Sequence, residues 1–454
     1  MRVHFIAIGG SAMHSLALAL HEKGYIVTGS DDDFFEPSKS KLEKAGLLPK
    51  EKGWDASRVT PELDAVILGM HARDNNPELA KARELGLKIF SYPEYLYEQT
   101  KNKTRVVIGG SHGKTTITSM IIHVLSYWKK SFDYMVGAQL EGYNNMVRLS
   151  EDSPVAVFEG DEYLSSTLDP RPKFHIYQPN IAVINGIAWD HINVFSTFDV
   201  YVEQFKIFIE KIQSKGTLIY CADDPLVAGI AMTAAPDVKK VPYKIHEHQV
   251  ISNEVFLIND KNKTRVHVFG KHNMQNLSAA KAVCNELGLT NEQFYEAIAT
   301  FKGAAKRLQL LSENNMTSIY LDFAHSPSKL TATVRAVKEH YPERALVACM
   351  ELHTFSSLSE DFLRQYYGTM ERADYAIVYY SMKALAAKGL KPLDPEDVAK
   401  AFATKHLKVF TDSDQLVKHL KSIEWKGKNL LLMSSGNFDG INFNTFAKEL
   451  LNQK

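Results

Sequence analysis

Residues 105–128 read RVVIGGSHGKTTITSMIIHVLSYW, and the fold is decided there. Arg105 opens a short apolar run, Gly109-Gly110-Ser111-His112-Gly113-Lys114 makes a turn, and a helix is predicted over TTITSMIIHVLSYW, 115–128. Glycines let successive backbone N–H groups close around phosphate oxygens, and the start of the following helix adds partial positive charge. Lys114 supplies a point charge suited to β- and γ-phosphates, and the Thr115 hydroxyl suits Mg²⁺. The general spacing of such loops wants a glycine where Ile108 stands, so this is a shortened variant. An incidental Gly-Lys-Thr turn would need neither the strand before it nor the helix after it.

Upstream, VHFIAIG, the turn GGSA, the helical MHSLALALHEKG and the apolar YIVTGSD form a βαβ unit. Gly9-Gly10-Ser11-Ala12 opens its helix and Asp31 ends its second strand, as in a dinucleotide-binding unit, but His14 and Ser15 stand where a third glycine belongs. A diphosphate-containing nucleotide therefore suits it better than a dehydrogenase cofactor. Strands follow at 64–70 and 88–92, with a helix from PELAKARELG between them. The polar 96–104 reads as a linker.

Downstream, strands are expected at PVAVFEG, NIAVING and GTLIYC, with a helix over FDVYVEQFKIFIEKI. The stretch 234–268 reads as short antiparallel strands, and two helices follow it. Past Lys306 the alternation resumes with SIYLDFA, ALVACME, YAIVYY, LKVF and NLLLMSS. Three α/β units in series result.

Acidic residues collect where the central strands end. Glu159, Asp161 and Glu162 follow one strand and Asp190-His191 the next. Singly they read as solvated loop charges. Beside the phosphate loop they read as a Mg²⁺ site. Lys306-Arg307 precedes the third unit, and Asp322-Phe-Ala-His325-Ser-Pro327 ends its first strand. Arg307 stands at a domain junction, where closure would bring it to a phosphate.

The 454 residues fit about three domains, and 45% hydrophobic with 23% charged residues excludes wholesale disorder. Fifty-three Lys+Arg balance fifty-three Asp+Glu, which argues against a nucleic-acid partner. Cys221, Cys284 and Cys349 lie far apart and read as reduced thiols. No apolar run reaches the roughly 18 residues of a membrane span. The expectation is a cytoplasmic enzyme without a membrane partner, a monomer or weak dimer.

Together these motifs resemble the Mur ligase family, ATP-dependent enzymes that add amino acids or peptides to UDP-N-acetylmuramate precursors of peptidoglycan. AIGGSAM, GSHGKTT, EGDEY, NGIAWDH, GKHNMQN, KRL and DFAHSP occur in family order and span nearly the whole chain. The resemblance implies an α/β, three-domain enzyme. A Rossmann-like UDP-sugar domain would cover 1–98, a P-loop ATPase-type central domain 99–305, and a Rossmann-like acceptor domain 306–454. It implies a UDP-sugar site at Gly9, Gly10, Ser11, Ala12, Met13, Ser30, Asp31, His71 and Arg73. ATP would meet Gly110, Ser111, His112, Gly113, Lys114, Thr115 and Thr116, with Asn273 on adenine and Arg307, Asp322 and His325 from the closing domain. Thr115, Glu159 and His191 would hold Mg²⁺, and Lys114, Glu159, His191 and Arg307 would carry the chemistry. Lys206 lies near a lysine that other members carbamylate, but reads here as an exposed helix lysine.

Two branches act directly on UDP-N-acetylmuramate. One adds L-alanine; the other, in murein recycling, adds L-Ala-γ-D-Glu-meso-diaminopimelate. TGSDDDFFEPSKSKLEKAG, DEYLSSTLDPRPKFHIYQPNIAVIN, DHINVFSTFDVYVEQF and LLLMSSGNFDGI resemble the peptide-adding branch more. His353-Thr354-Phe355-Ser356 departs from that branch's Arg-Ser-Asn-Thr, in a region that should meet the acceptor. The rivals are the alanine-adding reaction, a folylpolyglutamate-synthetase-like relative, an ATPase without ligation, and a dehydrogenase built on the first unit.

Overall fold

The stretch 105–128 folds as a strand, Thr104–Gly109, a glycine turn, and a helix, Lys114–Tyr127. The computed structural model describes residues 1–70, 72–139, 142–189, 194–259 and 262–452. Every strand below runs apolar where it is covered on both faces, which is what parallel sheets demand.

In the first sheet, β1 (Arg2–Ile6), β2 (Ile26–Ser30), β3 (Ala65–Leu68) and β4 (Ile89–Ser91) stand in the order β2-β1-β3-β4, all parallel. The central sheet contains β5 (Thr104–Gly109), β6 (Asp133–Met135), β7 (Val147–Arg148), β8 (Val155–Glu159), β9 (Ile181–Ile184), β10 (Thr217–Cys221) and β11 (Lys239–Tyr243), ordered β11-β10-β9-β5-β8-β6-β7. The phosphate loop thus leaves the middle strand, flanked by the ends of β8 and β9.

A small antiparallel sheet follows, β12 (His248–Ile251), β13 (Glu254–Asn259) and β14 (Asn262–Val266). The third large sheet holds β15 (Gln309–Asn314), β16 (Thr317–Asp322), β17 (Ala345–Leu352), β18 (Tyr375–Tyr380), β19 (Leu407–Phe410) and β20 (Lys428–Met433), ordered β15-β16-β20-β17-β18-β19. All of it is parallel except the β15–β16 hairpin.

Two expectations are corrected. Residues 96–104 are not a linker, because a helix runs over Tyr92–Thr100. Its start is fixed by a reciprocal cap, in which Glu94 accepts from the Ser91 backbone N–H at 2.8 Å, with Pro93 in the first turn. The stretch 234–268 is only partly antiparallel, since β11 pairs in parallel with β10 and extends the central sheet.

The chain divides into two compact units. One comprises Met1–Ile187, Thr197–Lys244 and Leu277–Ala297, and so holds both the first and the central sheet. The other comprises Ala188–Ser196, Ile245–Asn276 and Ile298–Lys454. Within the first unit, Arg105 binds the two sheets together. Its guanidinium is buried and donates to the carbonyls of Thr100, Lys101 and Lys103 at the end of the Tyr92–Thr100 helix, at 2.7–3.0 Å, and to those of Tyr177 and Gln178. Among the described residues, no helix is long and apolar enough to cross a membrane, and the three cysteines are buried and unpaired.

Candidate functional site

The phosphate loop rests on an aromatic layer. From the Phe198–Glu210 helix, Tyr201, Phe205 and Phe208 face inward at i, i+4 and i+7 spacing, and Phe174 stacks on Phe208 at 4.6 Å. A Cβ on Gly109 would lie 3.2 Å from the Phe208 ring. Gly110 has φ +126°, and a Cβ there would stand 3.0 Å from the Asn185 nitrogen, so glycine is required. The loop is also tied by backbone, with Ser111 N–H donating to Gly186 O at 2.9 Å. Asn185 Nδ2 donates to His112 O at 3.2 Å, and Tyr243 OH donates to Asn185 Oδ1.

The charges around the loop are paired. Lys114 Nζ donates to Gly110 O at 2.8 Å and to Glu162 Oε2 at 2.5 Å. Burial lowers the affinity of this ammonium for its proton, but Glu162 and then Asp161 outweigh that and hold its pKa above the usual lysine range. Thr115 Oγ1 donates to Glu159 Oε1 at 2.9 Å, and the Gly137 N–H donates to Glu159 Oε2 at 2.7 Å. Lys173 takes Asp161 at 2.6 Å. The three acids of the EGDEY segment thus have different partners, with Glu159 on Thr115, Asp161 on Lys173 and Glu162 on Lys114. Thr116 is buried in the first turn of the helix. Asp190 and His191 lie outside the described residues.

In the first sheet, Gly9 N–H donates to Asp31 Oδ2 at 2.8 Å, which pins the turn after β1 to the end of β2. Burial pushes the Asp31 carboxyl up to about 6. Gly10 caps the Ser11–Glu22 helix through backbone alone; Ser11 and Ala12 are exposed, and Met13 is buried. The Ser30 carbonyl accepts from Ala7 and Ile8 N–H at 2.9 Å, and its hydroxyl donates to Glu78, which is itself fully buried. Glu78 also accepts from His4 Nε2 at 3.2 Å and from the Asp55 N–H at 2.9 Å. His4 and Glu78 form a buried pair beneath β1 and β2 that the sequence reading missed, 74 residues apart and without a motif. Arg73 is exposed, and His71 lies outside the described residues.

In the second unit, Arg307, Asp322 and His325 gather around Phe323. The Arg307 guanidinium lies 4.8 Å from the Phe323 ring centre, and His325 Nδ1 donates to Phe323 O at 2.8 Å. Asp322 accepts the N–H groups of Leu308 at 2.6 Å and Ala324 at 2.7 Å, so it builds the turn that presents Arg307. Burial raises the Asp322 pKa, with Arg307 opposing. Asn273 is buried, and its Nδ2 donates to Phe269 O at 2.9 Å. Lys206 is paired with Glu203 at 3.0 Å on an exposed helix face.

Comparison with known proteins agrees along the chain. Profiles described as the Mur ligase family catalytic domain, the Mur ligase middle domain and the Mur ligase glutamate ligase domain match residues 2–104, 108–284 and 306–436. A UDP-N-acetylmuramate–L-alanine ligase of Streptococcus mutans is 30% identical, over 86% of this chain and 87% of its own. A UDP-N-acetylmuramate–L-alanyl-γ-D-glutamyl-meso-2,6-diaminoheptandioate ligase of Haemophilus influenzae is 29% identical, over 74% of this chain and 76% of its own. The crystal structure of a murein peptide ligase from Psychrobacter arcticus shares the fold, with TM-score 0.68 at 24% identity, covering 100% of this chain and 99% of its own. With a phosphate loop built on the middle strand and all three profiles in order, this chain belongs to the Mur ligase family and is an ATP-dependent carbon–nitrogen ligase.

Proposed function

We propose that this ligase joins the lactyl carboxylate of UDP-N-acetylmuramate to the amine of L-Ala-γ-D-Glu-meso-diaminopimelate, in the cytoplasm. The carboxylate attacks the γ-phosphorus of ATP, releasing ADP and leaving an acyl phosphate. The peptide amine then attacks the acyl carbon, phosphate leaves, and an amide remains. Such phosphoryl transfer asks mainly for positioning and charge stabilisation.

In this reading Lys114 exchanges Glu162 for phosphate oxygens. Gly110, Ser111, His112 and Gly113 cradle those oxygens. The Gly9–Met13 turn and Asp31 take the UDP-sugar, Asn273 takes adenine, and Arg307 with His325 comes to the phosphates. The Thr115 hydroxyl and Glu159 carboxylate, 2.9 Å apart, are hard oxygen donors that fit Mg²⁺, with His191 as a further ligand. When bound, Mg²⁺ neutralises charge on the phosphate oxygens. Thr115 and Glu159 then keep the nucleotide in register, and the aromatic layer beneath excludes water from the loop.

The observation that supports the tripeptide is the LLLMSSGNFDGI ending, which resembles the peptide-adding branch. The end of β17 departs from both branches, with no arginine from Glu351 through Leu363. His353 stands there, its Nδ1 3.6 Å from the buried Glu351. Ser434 and the Phe438 N–H, from the LLLMSSGNFDGI ending, hold Glu351 from the other side. The similarity to relatives named for L-alanine favours the second reading, in which L-alanine is the acceptor. Steady-state ADP release with UDP-N-acetylmuramate and each acceptor decides between them. The tripeptide should show a kcat/KM at least about tenfold above L-alanine, or about 1.4 kcal/mol in transition-state binding. A preference for L-alanine would move the chain to the alanine-adding branch.

A further inference from the structure

Tyr201 stands behind the phosphate loop. It is fully buried on the Phe198–Glu210 helix, with its ring edge-on to Phe205 at 5.3 Å. Its hydroxyl lies 2.8 Å from Ser111 Oγ and donates to Glu162 Oε1 at 3.1 Å, so Ser111 is the donor to Tyr201. The other Glu162 oxygen takes Lys114, which also binds Gly110 O. A chain of polar contacts therefore runs from Ser111 at one end of the loop, through Tyr201 and Glu162, to Lys114 at the other.

Glu162 competes with any phosphate for Lys114. It is an anion with 1% of its side chain exposed, so losing its cation leaves it short of compensation in a poorly solvated place. Each donor that stays on that carboxylate lowers the cost of letting the ammonium go. We propose that Tyr201 is a positioning residue for nucleotide binding, its hydroxyl holding Glu162 so that Lys114 can trade the carboxylate for phosphate oxygens. This rests on the reading of the loop as the nucleotide site.

The test is calorimetric titration of the full chain with Mg·ADP. Relative to wild type, Tyr201→Phe keeps the buried ring, removes the hydroxyl and should weaken binding about fivefold, the scale of one hydrogen bond. Glu162→Gln removes the competing charge and should tighten binding by a similar factor. In the Glu162→Gln background, Tyr201→Phe should change affinity less than about twofold, because a neutral amide no longer needs the hydroxyl. A merely structural Tyr201 would give the same loss in both backgrounds, and that result overturns the proposal, as does wild-type affinity in Tyr201→Phe. Should Tyr201→Phe fail to fold, Glu162→Gln alone decides, since unchanged Mg·ADP affinity there also overturns it. Failure of wild type to bind Mg·ADP at all would reject the nucleotide assignment of the loop itself and the proposal with it.

Discussion

At Lys114 a cation that the sequence presents as a free point charge is tied 2.5 Å from a carboxylate almost wholly out of water. Lys114→Ala should therefore do two things. It should abolish ADP formation, and it should lower the unfolding free energy by about 3 kcal/mol, because Glu162 is left buried without its cation. Lys114→Ala/Glu162→Gln should recover most of that stability and none of the activity. Urea denaturation of the three proteins reads the stability and ADP release the activity; a single variant as stable as wild type would show the pair to be energetically idle. The motif residues were legible because their spacing is local, within the eight positions from Gly109 to Thr116. Tyr201 was not, because it reaches Ser111 from 90 residues away and looks like any other core position of its helix. Ser30 reads as a ligand contact by position, and the sequence gives no sign that its hydroxyl donates to the fully buried Glu78, 48 residues away.

Among the elements, Arg105 decides how the Tyr92–Thr100 helix meets β5. Burial lowers its pKa from the usual arginine value, yet it keeps its charge by donating to backbone carbonyls and by lying 5.2 Å from the centre of the Tyr97 ring. Removing the guanidinium strands several buried acceptors at once. Arg105→Ala should cost about 3 kcal/mol or more, seen as a lower urea midpoint at unchanged m-value. A midpoint within error of wild type would mean that those carbonyls find other partners. Most buried strands were legible from their apolar runs, and β5 and the helix after it were read to within a residue at each end, whereas the short buried β6 was not read. The Tyr92–Thr100 helix was obscured because its stretch is polar and its signal is a cap, Ser91 with Glu94, rather than a periodic face. β15 was missed because QLLSEN is half-exposed and gains its strand form from pairing with β16.

At the scale of the whole molecule, buried imidazoles set the response to acid. Burial lowers the pKa of His175, His272 and His340 to about 4 each. In the unfolded chain they would bind protons near 6.5, so between about 6.5 and about 4 the unfolded state holds more protons than the fold. Stability should therefore fall as pH drops through that window. Asp31, pushed up to about 6, takes up its proton in the fold and works in the opposite sense over part of it. Comparing variants isolates the histidines. His340 stacks on Phe269 at 4.1 Å and its Nδ1 is buried without a hydrogen-bond partner, so His340→Gln should flatten the decline. Urea midpoints at pH 7, 5.5 and 4.5 measure it, and parallel curves for the two proteins would refute it. The alternation of strands and helices made three α/β layers readable. That the first two share one compact unit was not, since it depends on contacts such as those of Arg105.

That shared unit bears on how such enzymes can be recombined. A chimera that takes its first sheet from one parent and its phosphate loop from another, cut within residues 100–104, separates Arg105 from the helix end whose carbonyls it was shaped to meet. The break that looks natural by alignment falls across a shared hydrogen-bonded joint. A junction that keeps Tyr92–Arg105 from one parent leaves that helix end and its acceptors together, and moves the seam to the carbonyls of Tyr177 and Gln178.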